Sequence, residues 1–183
     1  MFVKIIFFCL FLLIPKFIFS QSVEESLVDA TKDSNLPKIR LLSKNKSNLI
    51  QEDNRLMTPI LIACNDNNLE AVKILLESGT DINKKHRENG KTPLIYSAAN
   101  GYVDLVRFLI TKPGILINAK DKEGRTALIH SVSFARKDVL ALLIEAGANV
   151  NARTNSDESA LSIALKGGRS EIVAILKQAG AKE

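Results

Sequence analysis

The 183-residue chain carries 25 Lys+Arg against 20 Asp+Glu, a formal net charge of +5, with 46% hydrophobic residues but only 5% aromatics and no tryptophan. This length allows one folded domain, and the aromatic shortage argues for a thin aliphatic core spread along repeated units over one thick globular core. The positive charge forms no Lys/Arg block, so composition gives no sign of nucleic-acid binding.

Residues 1–20 have Lys4 near the start, an apolar run from Ile5 to Ile14, then Pro15 and the small residue Ser20. This is the pattern of a secretory signal peptide, and Gln21 is the expected mature start. A membrane anchor is the competing reading, but a span needs about 20 apolar residues and this run is half that. Removing Lys4 and Lys16 takes the net charge from +5 to +3 and leaves Cys64 as the sole thiol, so no intrachain disulfide is expected. Cys64 reads as a small buried residue.

Residues 21–52 read as a degenerate capping unit. Leu27, Val28 and Ala30 predict one short helix, and Ile39, Leu41 and Leu42 a second after Pro37. Glu24, Glu25, Asp33, Lys38 and Arg40 are available for a wet outer face. Asn45-Lys46-Ser47 satisfies the N-glycosylation pattern, which has meaning only in a eukaryotic secretory pathway.

From Asn89 to Ile110 the chain spells a turn, a short helix, a turn and a longer helix. Thr92 suits a helix cap and Pro93 the first helical position, Leu94, Ser97 and Ala98 give a narrow face of mostly small residues, and Gly101 closes the helix. Val103, Leu105, Val106, Leu109 and Ile110 then recur at helical spacing, leaving apolar flanks that neighbours must cover. The opening recurs at Thr58, Thr92, Thr126 and Ser159, steps of 34, 34 and 33 residues. Units close on Asn83, Asn118 and Asn151, with Gly79, Gly147 and Gly180 as helix-end signals.

This pattern resembles the ankyrin repeat family. The resemblance implies an all-α solenoid of stacked helix-turn-helix units with β-hairpin-like turns: a cap at 21–52, then four repeats over 53–183, at about 53–86, 87–120, 121–153 and 154–183. Lys177 and Gln178 make the last unit polar, so both ends read as capped, and a monomer is expected. The family's histidine after Thr-Pro-Leu is replaced by Leu61, Ile95, Ile129 and Ser162, which implies a missing inter-unit hydrogen bond and looser stacking. Asn67 and Ala135 replace the mid-unit glycine, and the latter is expected to disturb its turn. An extra residue within Thr111 to Ile117, around Pro113 and Gly114, lengthens one connection.

Catalytic signatures are absent from the sequence: His86 and His130 have no metal-ligand spacing beside them and read as surface or half-buried, Gly167-Gly168 follows no strand, and no cofactor is expected. The reading is therefore of a non-catalytic module that captures another protein. The family's concave face, made of hairpin tips and first helices, would carry Lys91, Asn100, Lys122, Glu123, Arg125, Ser133, Phe134, Asn155 and Glu158. Asn54, Arg55 and Met57 would form the first tip. Phe134 is either a contact anchor or an inward-packed residue. Lys84, Lys85, Arg87 and Lys91, with Lys120, Lys122 and Arg125, favour a partner with an acidic patch; a merely solvated set of hairpins is the alternative. An inhibitor or immunity-type partner of an enzyme or toxin, and a structural envelope component, would use the same surface. No membrane association is expected after signal removal. Composition and the brief signal point to a Gram-negative bacterium, hence to the periplasm or secretion.

Overall fold

The computed structural model describes residues 26–182, so the expected signal segment and its cleavage point lie outside the described residues. Among the described residues ten helices follow in pairs: α1 (Leu27–Lys32) with α2 (Leu36–Leu42), α3 (Pro59–Asn65) with α4 (Leu69–Glu77), α5 (Pro93–Asn100) with α6 (Val103–Ile110), α7 (Ala127–Ser133) with α8 (Lys137–Glu145), and α9 (Ala160–Lys166) with α10 (Ser170–Gln178). A short 3-10 turn spans Lys46–Ile50. The helices α1, α3, α5, α7 and α9 pack in a row, and each is backed by its own partner. Among the described residues there is no β-sheet, only an isolated bridge between Arg153 and Ser159.

Local chemistry starts these helices where the sequence predicts. The Thr92 and Thr126 hydroxyls accept from Ile95 N and Ile129 N, each at 3.3 Å, and Ser159 and Ser162 close a reciprocal capping box. Thr58 is the exception: its buried Oγ1 has no partner. Asn45 accepts from both Ser47 N and Ser47 Oγ and so begins the 3-10 turn, which gives this asparagine a structural role.

The turns within the helix pairs correct one expectation. Ser34, Asn67, Gly101, Ala135 and Gly168 all lie at positive φ, from 54° to 84°. Ala135 therefore keeps the same turn as Gly101, at a conformational cost that the packed helices on both sides impose. The period also extends to Ser34, so the first helix pair follows the turn geometry of the rest.

The units are also tied more firmly than the missing histidines imply. The last carbonyls of a helix have no partner within it, and here side chains from the next unit supply one. Asn65 O accepts from Asn100 Nδ2 and Tyr102 Oη at 3.3 and 3.0 Å, Ala99 O from Arg136 Nε at 3.1 Å, and Val132 O and Ser133 O from the two arms of Arg169 at 2.9 and 2.8 Å. The closing asparagines form a second belt. Asn83 grips Gly114 O and Leu116 N, Asn118 accepts from Asn149 N, and Asn151 bridges Gly180 O and Lys182 N. The lengthened Thr111–Ile117 connection is thus held by the preceding unit.

The core is aliphatic and continuous, from Leu27 through Ile60, Leu94 and Leu128 to Leu161. Cys64 is fully buried within it, and burial pushes its thiol up to about 12 against a smaller opposing pull from Ser97. Because the thiolate is the reactive species, native protein should leave a thiol reagent untouched at pH 8 and react only as it unfolds in denaturant. Prompt labelling in buffer would contradict this burial.

Candidate functional site

Four hairpin tips precede α3, α5, α7 and α9, and one side chain organises each. Asp53 Oδ1 accepts from Arg55 N and Met57 N at 2.9 Å; Asp121 Oδ1 accepts from Glu123 N and Arg125 N at 3.0 and 2.9 Å. Thr154 Oγ1 takes the amides of Ser156 and Glu158, and His86 Nδ1 those of Glu88 and Asn89. A ring nitrogen that accepts must be bare, so His86 carries its hydrogen on Nε2 and donates it to Arg55 O at 2.9 Å, joining two tips. Burial tends to raise the Asp53 carboxyl, but the amides of Met57 and Arg55 with the Arg55 and Lys32 side chains outweigh it and hold the group below its ordinary range.

Both histidines are buried, His86 at 6% exposure and His130 at 2%, which corrects the surface or half-buried reading. Imidazole is here an internal hydrogen-bonding group, a use that local sequence does not distinguish from a solvated one. Met57, expected in a tip, is also buried, and its amide donates to Asp53 Oδ1 across the base of that tip.

Successive tips are stapled together. Lys122 N donates to Asn89 O and Asn155 N to Glu123 O, both at 2.9 Å, and Asn155 Nδ2 reaches Lys122 O at 2.8 Å. Lys85 Nζ donates to Lys120 O at 2.9 Å, and Lys120 Nζ to Arg153 O at 2.8 Å. Four of the seven basic residues read from sequence are thus engaged: Lys85 and Lys120 hold carbonyls, Arg87 pairs with Glu52 at 3.1 Å, and Arg125 pairs with Glu123 at 3.1 Å.

The expected contact residues separate accordingly. Asn100 is occupied with Asn65 O, Ser133 Oγ donates to Ile129 O, Asn155 holds the neighbouring tip, and Glu158 pairs with Lys166 at 2.7 Å. Lys122 extends into solvent, and its backbone lies against Gly90, one residue from Lys91. Lys91 Nζ stands 5.7 Å from the Tyr96 ring centre, a cation–π arrangement. Phe134 is 51% exposed, so it does not pack inward, and its ring lies nearly parallel to His130 at 6.2 Å. Tyr96, bonded through its hydroxyl to Asn89, belongs to the same surface; a lone tyrosine on a helix gave no sequence signal for that.

Among the described residues no group of three or more His, Cys, Asp or Glu side chains could hold a metal ion, and no helix is long and apolar enough to cross a membrane.

Comparison with known proteins agrees with this architecture. Residues 27–121 and 114–183 match the family model described as ankyrin repeats (3 copies). Alpha-latrotoxin-Lg1a of Latrodectus geometricus is 34% identical over 97 residues, covering 53% of this chain and 7% of that protein. The putative E3 ubiquitin-protein ligase XBAT34 of Arabidopsis thaliana is 34% identical over 114 residues, 60% of this chain and 29% of its own length. The ANK repeat-containing protein nipk-1 of Caenorhabditis elegans is 27% identical over 124 residues, 60% of this chain and 20% of its own. The chain thus spans less than a third of each of these relatives.

Proposed function

The chain belongs to the ankyrin-repeat family, whose stacks serve protein–protein interaction, and we propose that it is an exported, non-catalytic module that captures a partner protein with an acidic, partly apolar segment. One observation carries this reading: Lys91, Lys122 and Phe134 remain available on a tip face whose other polar groups are largely engaged. A surface held by tip-to-tip hydrogen bonds loses little ordering entropy on binding. Cations on the tips, with an exposed aromatic ring on the adjoining helix, suit a segment bearing carboxylates and one apolar side chain. Support for export is the basic-then-apolar pattern of residues 1–20. The four-repeat division with a cap belongs to the same proposal, as does a monomeric state in the periplasm or outside the cell.

The test is affinity capture with tagged chain from Gln21 to Glu183. The double variant Lys91→Glu/Lys122→Glu should lose the partner while its unfolding free energy in urea falls by no more than about 1 kcal/mol, the loss expected from removing the Lys91–Tyr96 contact. Phe134→Ala should weaken the same partner. Arg125→Glu is a poorer probe, since it sets a second carboxylate beside Glu123. An unchanged partner list with both variants would move the binding face elsewhere.

A further inference from the structure

We propose that capture of an acidic segment on the tip face is coupled to uptake of one proton by His130, so that this surface binds more tightly as pH falls below neutrality. The inference rests on the acidic-partner reading and adds a regulator to it.

His130 joins the centre of this face to the core. Its Nε2 donates to Asp121 Oδ2 at 2.7 Å, and the other oxygen of that carboxylate holds the amides of Glu123 and Arg125. On the outer side the ring lies against the half-exposed Phe134. Its Nδ1 is buried and bonded to nothing, so a proton can add there without displacing an existing bond. His86 differs, since its Nδ1 already accepts two amides.

The charges that face the His130 ring come from two tips: Lys91 from the one before α5, and Asp121 and Arg125 from the one before α7. The next charges outward are already paired, Glu158 with Lys166 beside α9 and Lys137 of α8 with Glu171, while Arg136 holds Ala99 O. Burial first, then Lys91 and Arg125, keep the imidazole neutral and hold it below its ordinary value against the pull of Asp121. Because this ring is held neutral, its contribution to stability is full above about pH 6.5, the unfolded imidazole value, and shrinks as pH falls below it.

Carboxylates docking beside Lys91 would offset a cation that opposes charge on the ring, while Arg125, the other, stays paired with Glu123. A solvent proton then adds to Nδ1, no bond breaks, and the bond to Asp121, already made to an ionised acceptor, becomes an ion pair. Linkage makes the effect reciprocal: a ligand that raises the proton affinity of His130 is itself bound more tightly by the protonated form.

The test uses a hexa-aspartate peptide, whose carboxylates stay ionised well above about pH 4. The chain has two histidines, so their ring proton signals can be followed by NMR from pH 7.5 to 5.5, with and without peptide, while circular dichroism monitors the fold. The peptide should move the His130 titration midpoint upward by about half a pH unit, which corresponds to about threefold tighter binding once the ring is protonated. His130→Gln should abolish the pH dependence whatever its absolute affinity, because glutamine can still donate to Asp121 but cannot charge. Peptide binding that is equal at both pH values with an unmoved His130 midpoint would overturn the coupling and leave the acidic-partner reading intact. A pH dependence that survives in His130→Gln would also overturn it. No peptide binding at either pH would overturn the acidic-partner reading, and the coupling with it.

Discussion

Replacing Asp121 with alanine should lower the stability of the stack by about 3 kcal/mol, since a buried donor left without an acceptor costs about 1–3 kcal/mol. The carboxylate accepts from three donors, the amides of Glu123 and Arg125 and Nε2 of His130, and is itself buried. Alanine leaves all three without an acceptor at the tip in the middle of the proposed face. Asparagine is the informative comparison. Its Oδ1 can keep both amides, and its Nδ2 can donate to a His130 whose hydrogen has moved to Nδ1, so the loss should be about 1 kcal/mol. Urea midpoints of the two variants decide the matter. Equal losses would assign the effect to the His130 pair and not to the tip amides, and a loss under about 0.5 kcal/mol for alanine would remove Asp121 as the organiser of the tip.

This division of labour within one side chain marks what the sequence could and could not convey. Helix starts at Thr92, Thr126 and Ser159 and the period of 33 to 34 residues were legible, because capping and apolar spacing are local properties. The engaged state of Lys85, Lys120 and Arg136 was not, because each bonds to a carbonyl 33 to 37 residues away and a lysine in a tip looks the same whether solvated or stapled. The burial of His86 and His130 escaped for a similar reason. A column of Asp53, His86, Asp121 and Thr154 performs one task with three different chemistries, acceptor groups that share no residue-type signature. A local signal of the tips does exist: Gly90 and Gly124, after Asn89 and Glu123, stand at the same register, two residues before the capping threonines.

Gly124→Ala should cost about 3 kcal/mol and Gly147→Ala only about 1 kcal/mol, although the two share nearly the same backbone angle. Gly124 has φ +76° and Gly147 φ +82°, so alanine meets the same left-handed penalty at both, about 1–2 kcal/mol. The surroundings differ. A Cβ on Gly147 meets nothing within 4 Å, whereas one on Gly124 would lie 2.6 Å from the backbone nitrogen of Asn155 and against its side-chain oxygen. Asn155 cannot retreat without giving up its bonds to Glu123 O and Lys122 O. Asp157 occupies the corresponding left-handed position of the last tip, so the angle alone does not demand glycine; the approach of the next tip does. Amide exchange should therefore accelerate at Asn155 in Gly124→Ala and stay unchanged there in Gly147→Ala, and equal behaviour of the two variants would refute tip-to-tip contact as the source. Because Gly124→Ala leaves Lys91, Lys122 and Phe134 in place, a loss of capture in that variant would mean that the register of the tips, and not the contact side chains alone, makes the surface competent to bind.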